Sequence, residues 1–230
     1  MKLAILYSGP YRGTKEILDN HINTFGNDID IYVSCFEHYL EDWKNSGWPV
    51  KEYFITPNVE FKETNWFKYR NNGAGQSGFW QFWNLRNVMI GVPKKYDFYI
   101  KNRNDLIFDK PFQFNSSTDN SILNKNTFYC SKTSFHKKDN WDTNNWLNDE
   151  FYLGCENTIN VISNFVTNYY DSEENQHQTN FRLASNETQL RRHLIQNNID
   201  IKTIHNFSYV KNHYGKSSPS GCYGFQLEKI

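Results

Sequence analysis

Short apolar runs bounded by turn residues alternate along this chain with longer segments whose apolar positions recur every three to four residues. Lys2 to Tyr7 reads as a first strand. Ser8-Gly9-Pro10 then turns the chain into a helix over about Thr14 to Thr24, with Leu18, His21, Ile22 and Phe25 at helical spacing. Asp30 to Cys35 is a second strand and Glu52 to Ile55 a third, with a loop-like Trp43 to Trp48 between them. From Gln76 to Gly91 the positions Phe79, Phe82, Trp83, Arg86, Val88 and Met89 outline a helix with a broad apolar face, stopped by Gly91 and Pro93. Strands follow at Asp97 to Phe108, near Thr127 to Cys130, at Phe151 to Gly154 and at Ile199 to Ile204. Helices are expected over Glu156 to Tyr169 and about Asn186 to Gln196. Asn115 to Asn126 reads as a surface loop, and the polar, tryptophan-punctuated Ser134 to Asn148 as an active-site loop. Strand alternating with helix predicts an α/β fold, a mainly parallel central sheet flanked by helices in a single domain.

The bulk numbers narrow the function classes. With 230 residues the chain can bury one large core. Its 25 basic residues equal its 25 acidic ones and no long basic run interrupts the balance, so nothing electrostatic argues for nucleic acid as a partner. The 17% aromatic content excludes a disordered chain. Cys35, Cys130, Cys155 and Cys222 lie far apart, without zinc spacing, and read as reduced thiols of a cytoplasmic protein, Cys35 and Cys155 in the core. Met1 to Tyr7 is too short for a secretory h-region. No apolar stretch reaches the roughly 18 residues needed to span a bilayer, so the expected membrane contact is peripheral at most.

One strand breaks its own pattern. Tyr96 to Asp109, YDFYIKNRNDLIFD, carries the polar cluster Lys101-Asn102-Arg103-Asn104-Asp105 inside a run otherwise fit for burial. If it stays extended, Lys101, Arg103 and Asp105 share one side, while Asn102 and Asn104 point the other way. A carboxylate beside basic residues at a sheet's carboxyl edge suits a metal or phosphate site. The structural alternative is a plain Arg103–Asp105 ion pair.

Three further groups can carry chemistry. The turn Ser8-Gly9-Pro10-Tyr11-Arg12-Gly13 follows the first strand, where an α/β sheet usually takes phosphate, although it is neither G-x-G-x-x-G nor a P-loop. Asp149 and Glu150 abut the short strand ending at Gly154, where a carboxylate can deprotonate an acceptor hydroxyl or simply cap a turn. Late in the chain, His205 and His213 flank the last strand and loop, where His213 could complete a metal site with Asp105, and the tail Lys211 to Ser220 could close over a diphosphate through Lys211, His213 and Lys216. Glu187, with Ser185 as a candidate N-cap, reads as the charged start of a helix.

An SGxxR turn after the first strand, the Y-D-x-x-I-K-x-R-x-D segment, a D-E-F-x-x-G element and a late E-x-x-L helix together resemble small glycosyltransferases of the GT-A type. The nearest likeness is to the WavE-like lipopolysaccharide and capsule-synthesis group and to related bacterial and viral proteins. The resemblance implies a GT-A-like (Rossmann-like) domain over 1–230, with a nucleotide-facing part at about 1–110 and an acceptor-facing part at about 111–230. It implies a nucleotide-diphosphate sugar donor, a glycan or glycolipid acceptor, and Mn2+ or Mg2+ held at an Asp-x-Asp signature. Here that signature reads Arg103-Asn104-Asp105, with one acid where two are usual. Ser8, Gly9, Arg12, Lys101, Arg103 and Asp105 would then bind the donor, Asp105 and His213 the metal. Asp149 or Glu150 would act as base, and Arg103 would assist the departing diphosphate. Two other classes stay open: an inactive nucleotide-sugar or carbohydrate-binding protein stacking sugars on Trp48, Trp141 and Trp146, and a sugar nucleotidyltransferase.

Overall fold

The computed structural model describes residues 2–69, 73–109, 111–112, 126–131, 150–169, 186–204 and 209–211. Strand β1 (Leu3–Ser8) pairs in parallel with β2 (Ile29–Cys35) on one side and with β4 (Phe98–Lys101) on the other; β3 (Val50–Ile55) extends the sheet beyond β2. Beyond β4 come β7 (Tyr152–Gly154), β6 (Thr127–Ser131) and β8 (Asp200–Ile204), giving seven strands in the order β3-β2-β1-β4-β7-β6-β8. Only β7 runs against the rest, antiparallel to both β4 and β6. The expected mainly parallel sheet is therefore present. Strand order reverses between β1 and β4, and the crevice at such a switch point is where open α/β sheets take ligands.

Both faces of the sheet are covered, which explains why its strands read as nearly continuous apolar runs. Leu3, Ile5 and Tyr7 turn toward one cluster with Ile17, Leu18 and Phe25 of α1 (Lys15–Phe25). Ala4 and Leu6 turn toward the other, with Phe79, Phe82, Leu85, Val88 and Met89 of α4 (Gly73–Gly91). Alternation with period two thus divides one strand between two cores. The Thr14 hydroxyl caps α1 by accepting from the Ile17 amide at 3.3 Å.

Several elements depart from expectation for physical reasons. Residues 43–48 are partly helical: α2 (Leu40–Asn45) follows a short 3-10 turn at Glu37–Tyr39 and buries Trp43 completely. A short α3 (Asn65–Tyr69) precedes α4. The expected helix over Glu156 to Tyr169 divides at Asn164 into α5 (Glu156–Ser163) and α6 (Phe165–Asn168), while α7 (Asn186–Gln196) matches its reading. Cys35 is buried as expected, but Cys155 is only half-buried. The long strand over Asp97 to Phe108 is two: β4 ends at Lys101, and β5 (Leu106–Phe108) leaves the sheet to pair with β9 (Tyr209–Lys211). Residues 102–105 are not strand, so the period-two alternation expected to separate Lys101, Arg103 and Asp105 from Asn102 and Asn104 does not apply, and all five line one pocket. Among the described residues no helix is long and apolar enough to cross a membrane.

Candidate functional site

The turn after β1 is built by close packing. Gly9 has φ of 90°, a region that favours glycine; its amide donates to the Ser34 carbonyl at 2.8 Å and its carbonyl accepts from Trp43 Nε1 at 2.9 Å. Gly13 sits where a Cβ would meet the Trp48 ring at 2.6 Å and the Asn104 carbonyl oxygen at 3.0 Å, so nothing larger fits there without displacing buried groups. Tyr7, Tyr11, Trp43 and Trp48 form one cluster of ring contacts beneath this turn. Trp48 is 5% exposed and cannot present a face to a sugar, which corrects its reading as a stacking residue. Trp141 and Trp146 lie outside the described residues.

The segment after β4 locks against that turn. The Asn104 amide donates to the Pro10 carbonyl at 3.0 Å, and its oxygen accepts from the Arg12 amide at 2.9 Å. One buried side chain therefore joins residues 10–12 to residues 102–105. Arg103 grips Asp105 with a two-pronged charge-assisted pair, Nε to Oδ1 at 2.8 Å and Nη2 to Oδ2 at 2.6 Å. Arg12 Nη1 approaches the same Oδ2 at 3.9 Å. The Asp105 side chain is 7% exposed, against 31% for Arg103 and 54% for Arg12. Lys101, itself buried, donates to the Glu150 carbonyl at 3.2 Å and lies over the Tyr152 ring.

A buried histidine supports this edge from below. His21 Nε2 lies 2.7 Å from the Leu106 carbonyl, which can only accept, so Nδ1 accepts from the Tyr7 hydroxyl at 2.7 Å. Burial pushes the His21 pKa down to about 4, against the opposing pull of the Leu106 carbonyl and the Asp105 charge. The ring is neutral across the physiological range and ties α1 to the residue after Asp105.

These segments enclose an open pocket of about 540 Å³ at the carboxyl ends of β1, β2 and β4. Ser8, Gly9, Arg12, Lys101, Arg103 and Asp105, the six residues expected to bind a donor, all line it. The opposite wall escaped the sequence reading. Phe36, His38 and Tyr39 come from the turn after β2; Ser77, Trp80, Gln81 and Asn84 come from α4, at the i, i+3, i+4, i+7 spacing that could have revealed a shared face. Phe36 stacks on His38 and meets Trp80 edge-on, giving that wall a continuous aromatic surface. Asn84 is held by Thr56, which shares a buried hydroxyl contact with Ser34.

Glu150 is tied to the site through its main chain, and its residue is not among those lining the pocket. Asp149, His213, His205, Lys216 and Ser185 lie outside the described residues. The described residues do not fit a divalent cation. Among the described residues Asp105 is the one carboxylate lining the pocket, both its oxygens accept from Arg103, and no cluster of three or more acidic, histidine or cysteine side chains is present. Hard cations take several oxygen ligands. Three cationic residues, Arg12, Lys101 and Arg103, line the pocket with that single carboxylate, a formal excess of two positive charges among the described lining residues.

No protein-family model matches this sequence, and no curated protein sequence matches it. Among solved structures, apo mouse xyloside xylosyltransferase 1 is similar at 9% identity and a TM-score of 0.51, over 88% of this chain and 84% of that one. The apo form of glycosyltransferase GlyE from Streptococcus pneumoniae TIGR4 is similar at 11% identity and a TM-score of 0.45, over 88% of this chain. The chain spans 45% of the GlyE chain's length. A 4-diphosphocytidyl-2C-methyl-D-erythritol synthase from Anaerococcus prevotii DSM 20548 is similar at 12% identity and a TM-score of 0.49, over 89% of this chain and 86% of that one. The likeness to the mouse enzyme is one of fold: the chain is a single GT-A-like α/β domain with a mostly parallel seven-stranded sheet.

Proposed function

We propose that this protein is a glycosyltransferase that moves a sugar from a nucleotide-diphosphate sugar to a hydroxyl of a glycan or glycolipid. The observation that carries the reading is convergence. Two segments ninety residues apart in sequence deliver six donor-binding candidates to one pocket at the switch point of a GT-A-like sheet, and that pocket has a cationic excess. An anionic diphosphate with an aromatic base fits a pocket with basic residues on one wall and Phe36, His38 and Trp80 on the other.

In the reaction the anomeric carbon–oxygen bond breaks, its electron pair leaving with the diphosphate, while the acceptor oxygen bonds to that carbon. Arg12, Arg103 and Lys101 offset the charge that develops on the departing diphosphate. The acceptor proton passes to a carboxylate, Asp149 or Glu150, giving inversion. The nucleotide-facing part is about 1–110 and the acceptor-facing part about 111–230. The WavE-like resemblance extends the proposal to surface polysaccharide or glycoconjugate synthesis, with peripheral membrane contact where the acceptor is a glycolipid.

The test is a panel of nucleotide sugars scored for a raised melting temperature, nucleoside diphosphate release and transfer to hydroxyl acceptors. Turnover of one donor, reduced at least about tenfold in Arg12→Ala, is expected on the loss of one charge-assisted contact. Binding with neither transfer nor hydrolysis across the panel would leave a carbohydrate- or nucleotide-sugar-binding protein. Pyrophosphate release from a nucleoside triphosphate and a sugar phosphate would make it a nucleotidyltransferase.

A further inference from the structure

We propose that Arg12 and Arg103 take the place of a divalent cation at the donor diphosphate, and that Asp105 is a positioning residue bracing Arg103. This inference rests on the donor reading above. It starts from the geometry around one carboxylate, in which both oxygens of Asp105 are committed to the Arg103 fork at 2.6 and 2.8 Å. A cation bound there would share these oxygens with the Arg103 fork and sit beside a guanidinium of the same sign. At such separations in a partly enclosed site, repulsion between a dication and a guanidinium is twice that of a unit pair.

Arg12 is differently placed. Its main chain is fixed by Asn104, yet its guanidinium is 54% exposed and reaches Asp105 at 3.9 Å, beyond hydrogen-bond range. It can turn to a phosphate oxygen without breaking the Arg103–Asp105 fork. Arg103 holds Asp105 with two of its five N–H donors, and a guanidinium can pair with a carboxylate on one edge and a phosphate oxygen on another. The formal excess of two positive charges among the described pocket residues is opposite in sign and equal in size to the charge of a sugar diphosphate diester. When the sugar leaves, the diphosphate gains a further negative charge, and the two guanidinium groups are already beside it.

The experiment is isothermal titration of the full chain with UDP, GDP, ADP, CDP, dTDP and inorganic pyrophosphate, each in EDTA and in excess MnCl2. The expected result is that the tightest diphosphate binds within about twofold in both buffers. Arg12→Ala should weaken it by about tenfold or more in EDTA, and Arg12→Lys should recover part of the loss. Asp105→Asn should weaken binding equally in both buffers, since it loosens the brace and removes no metal ligand. Binding that requires Mn2+, with the requirement lost in Asp105→Asn, would overturn the proposal and leave the donor reading standing. Failure of every diphosphate to bind in either buffer would remove both. Arg12 is on the surface, so its variants keep the fold, and matched melting temperatures confirm it.

Discussion

Two aspartates mark opposite edges of the sheet, each paired with a cation, and the pair at one edge lines the pocket. Asp30, near the start of β2, accepts from Lys51 at 2.6 Å and from the Tyr96 hydroxyl. Burial alone would raise its pKa; Lys51 and Tyr96 hold it below the usual carboxylate range. Its side chain is 32% exposed and that of Lys51 47%, so water competes for both partners. Asp105, beyond the end of β4, is nearly enclosed, carries a two-pronged arginine and looks onto a second. The same residue type serves as a solvated edge pair in one place and as the brace of an anion pocket in the other. Enclosure and the number of surrounding cations make the difference, and neither can be seen from the residue's own type.

The comparison breaks most sharply with pH, because the Asp105 edge rests on a buried histidine and the Asp30 edge does not. The unfolded chain protonates His21 below about pH 6.5, whereas the folded chain resists down to about 4. Stability contributed by the neutral ring is therefore complete above pH 6.5 and is lost as pH falls toward 4, by up to about 3 kcal/mol in all. Burial also lowers His193, which pulls in the same direction. Urea midpoints across this window should fall in the native chain, and His21→Gln should flatten the profile. Next in size, Asp105→Ala leaves Arg103 half-buried without its carboxylate, and about 2 kcal/mol of stability should go with it. Asn104→Ala removes the bonds to Pro10 and Arg12, costing about 1.5 kcal/mol in chemical denaturation, with weaker diphosphate binding alongside. Smallest of all, Asp30→Ala should cost less than about 1 kcal/mol and leave diphosphate binding unchanged. If Asp30→Ala cost as much as Asp105→Ala, enclosure would not be what separates the two edges.

Much of the scaffold can be read from residue pattern, since its strands and helices are local. Leu3 to Tyr7 announces a strand by its apolar run, and Leu18, His21, Ile22 and Phe25 announce the helix after it. The break after Lys101 could not be read, because Leu106 to Phe108 has the same strand bias as Phe98 to Ile100 and differs only in its partner strand. Trp48 reads from sequence, with Trp141 and Trp146, as a residue that could stack on a sugar. Its burial is set by Gly13 and His21, which are distant in sequence. The donor residues were legible as types beside a turn and a strand end. The Asn104 clamp was not, because asparagine abounds in this chain and only its two bonds distinguish it.

The reversal of β7 has a consequence for how such a site can vary. In a wholly parallel sheet, the chain entering a strand arrives at the edge opposite the ligand. Here it arrives on the ligand's side, and the carbonyl of Glu150, just ahead of β7, meets Lys101 at the pocket's border. A substitution at the entry to β7 therefore acts on Lys101 at the site's border while the strand order stays as it is. One inverted strand places a chain's entry, rather than its exit, on the ligand's side.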